Sequence, residues 1–188
     1  MQSDTISAAI LRNKDNLKAI PGDRPGYYKW WANKAELLII LRKLSIQFDE
    51  ICNSLEQKND RYCIYVGVAI KESLRNRLNW HVNDRHDVNR VKNGTVSTLR
   101  KTISSLVGND ATDKLATNEF IDKLFVEYFL SEKPIKSQEA TNELRDIEKR
   151  LLGSEHLYIL NIQENRHPLA PTQQLKQLRK QALIKAFS

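Results

Sequence analysis

The chain is short of the residues that define several protein classes. Its 188 residues include two cysteines, Cys52 and Cys63, too few for a disulfide framework and without CxxC spacing, so a reducing, cytoplasmic location is expected. No apolar run exceeds five residues, Leu37 to Leu41 being one such run, against roughly 20 for a transmembrane helix. The opening MQSDTISAAILRNKD lacks a basic segment followed by an apolar one, and no secretory signal is expected. The four histidines, His81, His86, His156 and His167, with two distant cysteines, give no zinc spacing. GxGxxG, GxxxxGK[ST] and GxSxG are all absent, which removes the usual nucleotide-binding loops and the serine-hydrolase elbow. There is no internal repeat and no low-complexity tract. What is present is 40% apolar and 28% charged residues, enough to build the core of one domain with a modest extension.

Charge is unevenly spread. The net charge is +7, yet Lys71 to Lys101 alone carries eight basic residues against Glu72, Asp84 and Asp87. The last 17 residues hold Lys176, Arg179, Lys180 and Lys185 with no acid. The remaining 140 residues are therefore slightly acidic, near −2. Concentrated Lys and Arg suit a phosphate-tracking surface, because they release condensed counterions from nucleic acid. A solvated basic face on two helices is the plainer reading.

The coarse order of elements is α+β. A short helix or arm over residues 1–24 runs into the turn-rich Pro21-Gly22-Asp23-Arg24-Pro25-Gly26, and Tyr27 to Trp31 reads as a strand. Leu37, Leu41, Leu44, Phe48, Ile51 and Leu55 form a stripe that predicts one long helix from Ala35 to Leu55, packed in the core or turned toward a partner. Arg61 to Val68 reads as a second strand, Lys71 to Val82 as a helix, and Ser97 or Thr98 as the cap of a helix stopped by Gly108. Asn109 to Asn118 reads as a loop, Leu124 to Leu130 as a third strand, and a helix from Ser137 or Thr141 ends at Gly153. Leu157 to Ile162 reads as a short last strand, and Thr172 to Phe187 as an amphipathic helix.

Two helices place polar groups beside apolar ones. At 100° per residue, Arg77 and His81 lie at the edge of the face carrying Leu74 and Leu78. Four residues apart, they are able to meet one phosphate; a surface arginine beside a packed histidine is the alternative. Glu148 falls between Leu144 and Leu152 on an arc with Ile147 and Leu151. A carboxylate there needs a cation, a metal or a hydrogen-bond network, so it is either half of a salt bridge or a ligand for a hard divalent ion.

These residues resemble a known family. Gly26-Tyr27-Tyr28 and Tyr65-Val66-Gly67 are similar to the signature pair of the GIY-YIG nuclease superfamily. Ser73 to His81, SLRNRLNWH, resembles its arginine helix, and Glu148 to Leu152 followed by Asn161 resembles its metal-binding glutamate and downstream asparagine. Gly94 to Lys101 (GTVSTLRK) and Asn165 to Leu169 resemble stretches of stand-alone bacterial members. The match spans about residues 25–169. Tyr27 stands where the family has Ile, and 36 residues, Lys29 to Ile64, separate the two signature tyrosines, where the family has a short connection. Asn161 lies one position later than expected, with Asn165 as a competitor.

The resemblance implies a small, mainly antiparallel three-stranded sheet flanked by helices, with a helical insertion at about 34–58 and a C-terminal basic helix at 170–188. It implies an endonuclease that hydrolyses DNA phosphodiesters with Mg²⁺ or Mn²⁺. Tyr28 and Tyr65 would be the signature tyrosines, with Tyr28 favoured as the group that activates water, and Arg77 would stabilise charge on the phosphate. His81 would assist proton transfer or hold the phosphate, Glu148 would carry the metal, and Gly67 would permit close backbone approach. Lys71, Arg75, Arg100, Lys101 and Asn161 are the expected DNA contacts. A homodimer through the Leu37–Leu55 helix and a non-catalytic nucleic-acid-binding module are the alternatives kept open.

Overall fold

The structure, a computed structural model, describes residues 5–153 and 156–188; the first four residues of the expected N-terminal arm lie outside them. The arm is two short helices, α1 (Ala8–Arg12) and α2 (Lys14–Lys18), preceded by the two-residue strand β1 (Ile6–Ser7). Aromatic and β-branched runs then form the two longest strands, β2 (Gly26–Asn33) and β4 (Arg61–Ala69), as such side chains fit a half-buried pleated surface. With β3 (Gln57–Lys58) and β5 (Phe125–Leu130) they make one antiparallel sheet in the order β1-β5-β2-β4-β3. The sheet therefore has five strands where three were expected. The added edge strands are two residues each, too short to show an alternation in the sequence.

Other boundaries also differ. The expected single helix between the signature strands is α3 (Lys34–Lys43), then α4 (Phe48–Ile51) and a 3₁₀ turn (Cys52–Ser54). Leu37, Leu41 and Leu44 in its stripe are at most 1% exposed, and Ile51 and Leu55 are buried with them. The stripe packs into the core of this chain, with Phe48 half-buried at its edge. Helix α5 (Leu74–Asn83) is capped by Ser73, whose hydroxyl accepts from the Asn76 amide. Asp87 caps the short α6 (Val88–Lys92) and Ser97 caps α7 (Thr98–Val107). The expected loop at 109–118 already contains the start of α8 (Lys114–Asp122), capped by Asp113. Helix α9 (Gln138–Leu152) packs on β4 and β2, and α10 (Thr172–Phe187) packs on α7. Residues 157–162 are buried but form no strand: Asn161 supplies the hydrogen bonds that a backbone ladder would have made. Among the described residues, no helix is long and apolar enough to cross a membrane.

Candidate active site

Strand register brings the two signature tyrosines together. Tyr28 on β2 lies opposite Gly67 on β4, and Trp30 lies opposite Tyr65. Tyr65 is thus the diagonal neighbour of Tyr28 on one face of the sheet, with ring centroids 6.4 Å apart. A Cβ on residue 67 would sit 2.5 Å from the Tyr28 hydroxyl and 2.7 Å from Cζ; glycine is needed because the phenol crosses its Cα. Tyr27 points the other way and stacks on Phe129, centroids 4.4 Å apart, so its replacement of the family's Ile fills an outer aromatic pair and leaves the site intact.

Helix α5 delivers the histidine and the arginine. The Tyr28 hydroxyl is 2.7 Å from His81 Nε2, and His81 Nδ1 is 3.0 Å from Ser97 Oγ. Tyr28, His81 and Ser97 are all nearly solvent-free, and Tyr65 is 8% exposed. Burial drives His81 well below the usual histidine range, reinforced by the positive charges of Arg77 and Arg100; the ring is neutral at pH 7. Burial also pushes Tyr28 well above a normal phenol, with Arg77 pulling in the opposite direction. Tyr65 is pushed up to about 12 by burial, against the lowering effects of Arg77, Arg179 and hydrogen bonding with Tyr28. Buried phenols keep their protons because desolvation penalises the phenolate.

Arg77 bonds Glu72 Oε1 through Nη2 at 2.7 Å, and its guanidinium lies 4.9 Å from the centre of the Trp80 ring. Its Nε is buried without a hydrogen-bond partner among the described residues. Glu148, half-buried on α9, has no hydrogen bond or ion pair with the described residues. Burial raises its pKa, Glu164 adds to the rise, and Arg77 and Arg145 oppose it. The same carboxylate acts electrostatically on both tyrosines. Tyr28, Tyr65 and His81 therefore touch, while Arg77 and Glu148 act on the two tyrosines through their charges alone.

The expected DNA contacts fare unevenly. Lys71 is exposed. Arg75 is tied to the backbone, donating to the carbonyls of Ile20 at 2.5 Å and Lys18 at 3.0 Å. Lys101 donates to the Gly94 carbonyl at 2.5 Å. Arg100 is fully buried and bonds the His81 carbonyl, Asn118 Oδ1 and His86 Nδ1; it belongs to the interior, not to a DNA surface. Asn161 is also interior. Its amide accepts from Val66 N and donates to Val66 O, both at 2.9 Å, which pins β4 beside Tyr65. Asn165 donates to the carbonyls of Tyr158 and Asn161, so both candidate asparagines bond backbone.

Three residues near the site had no sequence signal for their role. Glu72 is read as one acid in a basic segment, and Ser97 only as a helix cap. Arg179 on α10 donates to Thr98 O and Thr102 Oγ1 and acts electrostatically on Tyr65; a contact spanning 81 residues leaves no local pattern.

Residues 26–181 match the family model of the GIY-YIG catalytic domain. Searches of curated proteins and of solved structures return no match. The matched span covers most of the chain and contains both signature strands, the Arg77–His81 helix and the Glu148 helix, so the chain belongs to the GIY-YIG nuclease superfamily.

Proposed function

We propose that the protein is a divalent-metal-dependent endonuclease that hydrolyses DNA phosphodiester bonds. The observation that carries this reading is the buried 2.7 Å contact between the Tyr28 hydroxyl and His81 Nε2, with the charges of Arg77 and Glu148 both acting on Tyr28. A phenol alone is a poor base near neutral pH. Coupled to a neutral imidazole, it accepts a proton from water as its own proton passes to Nε2, so no isolated phenolate is needed. The new hydroxide attacks phosphorus and the bond to the leaving oxygen breaks. Arg77 has donors beyond the Nη2 held by Glu72, including the unpartnered Nε, and these are suited to the charge that builds on the phosphate. Tyr65, beside Arg77 and slightly more open than Tyr28, would hold a phosphate oxygen.

The residues present fit a hard divalent ion. Glu148 is a half-buried carboxylate without a hydrogen-bond or ion-pair partner among the described residues, and its raised pKa marks an environment that a cation would relieve. Such ions are held by few carboxylates with water and substrate phosphate completing the shell. When bound, the ion would stabilise charge on the leaving oxygen.

Plasmid and short branched DNAs incubated with the protein and Mg²⁺, Mn²⁺ or EDTA test the proposal. Metal-dependent cleavage, lost in Glu148→Ala and Arg77→Ala, is the expected result. Binding without cleavage of any substrate would instead identify a non-catalytic module of the same fold.

A further inference from the structure

The GTVSTLRK stretch contributes no group to the steps above, yet it grips the catalytic histidine at two points. Ser97 Oγ lies 3.0 Å from His81 Nδ1, and Arg100 Nη1 donates to the His81 carbonyl at 2.9 Å. One residue thus holds the ring and its neighbour three positions on holds the backbone. The grip is itself anchored. Asp84, just past the end of α5, accepts from the Ser97 amide at 3.2 Å, and Arg100 Nη2 reaches Asn118 at 2.6 Å. Ser97, Arg100, Asp84 and His81 are all almost wholly shielded from water, so water does not readily substitute for any of these bonds.

We infer that Ser97 is a positioning residue: it accepts from His81 Nδ1–H, and so fixes the imidazole tautomer whose Nε2 is free to take the Tyr28 proton. A neutral imidazole carries one ring hydrogen, and the bond at one nitrogen decides which nitrogen has it. Ser97 Oγ already faces inward as the cap of α7, accepting from Arg100 N at 3.4 Å, and has a second lone pair with which to accept from Nδ1–H, 3.0 Å away. With Nδ1–H donating there, Nε2 presents its lone pair to the Tyr28 hydroxyl. When the phenolic proton crosses, both ring nitrogens are donors, to Tyr28 and to Ser97, and no bond has to be exchanged. The opposite arrangement has Ser97 donating to Nδ1 and Nε2–H pointing at Tyr28, and it leaves nowhere for the proton to go. After the chemical step the proton returns from Nε2 through Tyr28 to solvent.

The inference rests on the nuclease reading, but the tautomer is measurable without any cleavage. Nitrogen-15 NMR of the wild-type protein at pH 7.5 is expected to show His81 protonated at Nδ1 and bare at Nε2, and a predominant Nε2–H form would overturn the inference. In plasmid cleavage, Ser97→Gly is expected to lower kcat about 10- to 100-fold with KM within about twofold, less than the roughly 100- to 10,000-fold of losing acid–base catalysis outright. Glycine is chosen because it is tolerated as a helix cap. Ser97→Thr, which keeps the hydroxyl, should recover kcat to within about threefold of wild type. A Ser97→Gly enzyme with unchanged kcat would remove the positioning role. If Ser97→Gly fails to fold, the wild-type tautomer decides the matter. If the wild-type protein cuts no DNA, the nuclease reading fails and the NMR result still stands.

Discussion

At Gly67 any side chain would collide with the Tyr28 phenol, a rigid ring held between His81 and the sheet. Gly67→Ala is therefore expected to displace the hydroxyl from Nε2 and reduce cleavage at least about 100-fold, while far-ultraviolet circular dichroism stays that of the parent. Retained cleavage would show that the Tyr28–His81 contact is dispensable. Tyr28→Phe removes the hydroxyl without that collision and should give a similar loss. His81 also makes stability depend on pH. Its folded pKa lies well below that of an exposed histidine because burial, Arg77 and Arg100 all oppose the imidazolium, so the unfolded chain binds the proton more readily. Its contribution is fully present above about pH 6.5, the unperturbed value of an exposed histidine, and is lost as pH falls below that toward the folded pKa. Urea midpoints at pH 7.5 and 5.5 should drop on acidification, and the drop should be smaller in His81→Gln. An equal drop in the two proteins would assign the acid sensitivity elsewhere.

At the level of elements, the sequence is informative where a strand or helix carries its own pattern. The aromatic β2, the β-branched β4 and the Ser73 and Ser97 caps could all be placed from local residues. The break between α3 and α4 could not, because Leu37, Leu41, Leu44, Phe48 and Ile51 keep a helical spacing on both sides of a turn that sends all of them inward. The terminator is also disguised. Ser45 takes the left-handed conformation with φ 52°, Ser45 N bonds Arg42 O at 3.2 Å and Ile46 N bonds Leu41 O at 3.0 Å. That is a Schellman ending, normally signalled by glycine, built here on serine. Likewise the Ser97–His81 and Asn161–Val66 bonds join residues 16 and 95 apart, so the candidate tyrosines, arginine, histidine and glutamate were legible as types while their supports were not. Ser45→Gly relieves a left-handed residue that costs L side chains about 1 kcal/mol. It should raise the unfolding free energy by roughly that amount in urea titrations; a fall would mean that the serine side chain compensates in a way the backbone geometry does not reveal.

For the molecule as a whole, position matters more than net charge. Of the eight basic residues between Lys71 and Lys101, Arg100 is interior, while Arg75, Arg77, Arg90 and Lys101 are half-buried and bonded to protein groups. Lys71, Arg85 and Lys92 are left exposed. On α10 the balance is reversed: Lys176, Lys180 and Lys185 are exposed, and only Arg179 turns inward, where it acts on Tyr65 and burial pulls its pKa to about 10. Because Arg179 acts on Tyr65, the proposed cleavage would put Lys176 and Lys180, one turn before it and one residue after it, near backbone phosphates flanking the one cut. Each phosphate neutralised on duplex DNA contributes about −0.9 to the slope of log K against log salt. The Lys176→Gln/Lys180→Gln double variant is therefore expected to make that slope shallower by about 1.8, measured by fluorescence anisotropy across a salt series with the metal omitted. It should weaken binding alike for DNAs of different sequence, since phosphate contacts position the protein without reading bases. An unchanged slope would move the DNA path off α10 and leave Lys71, Arg85 and Lys92 as the candidate rim.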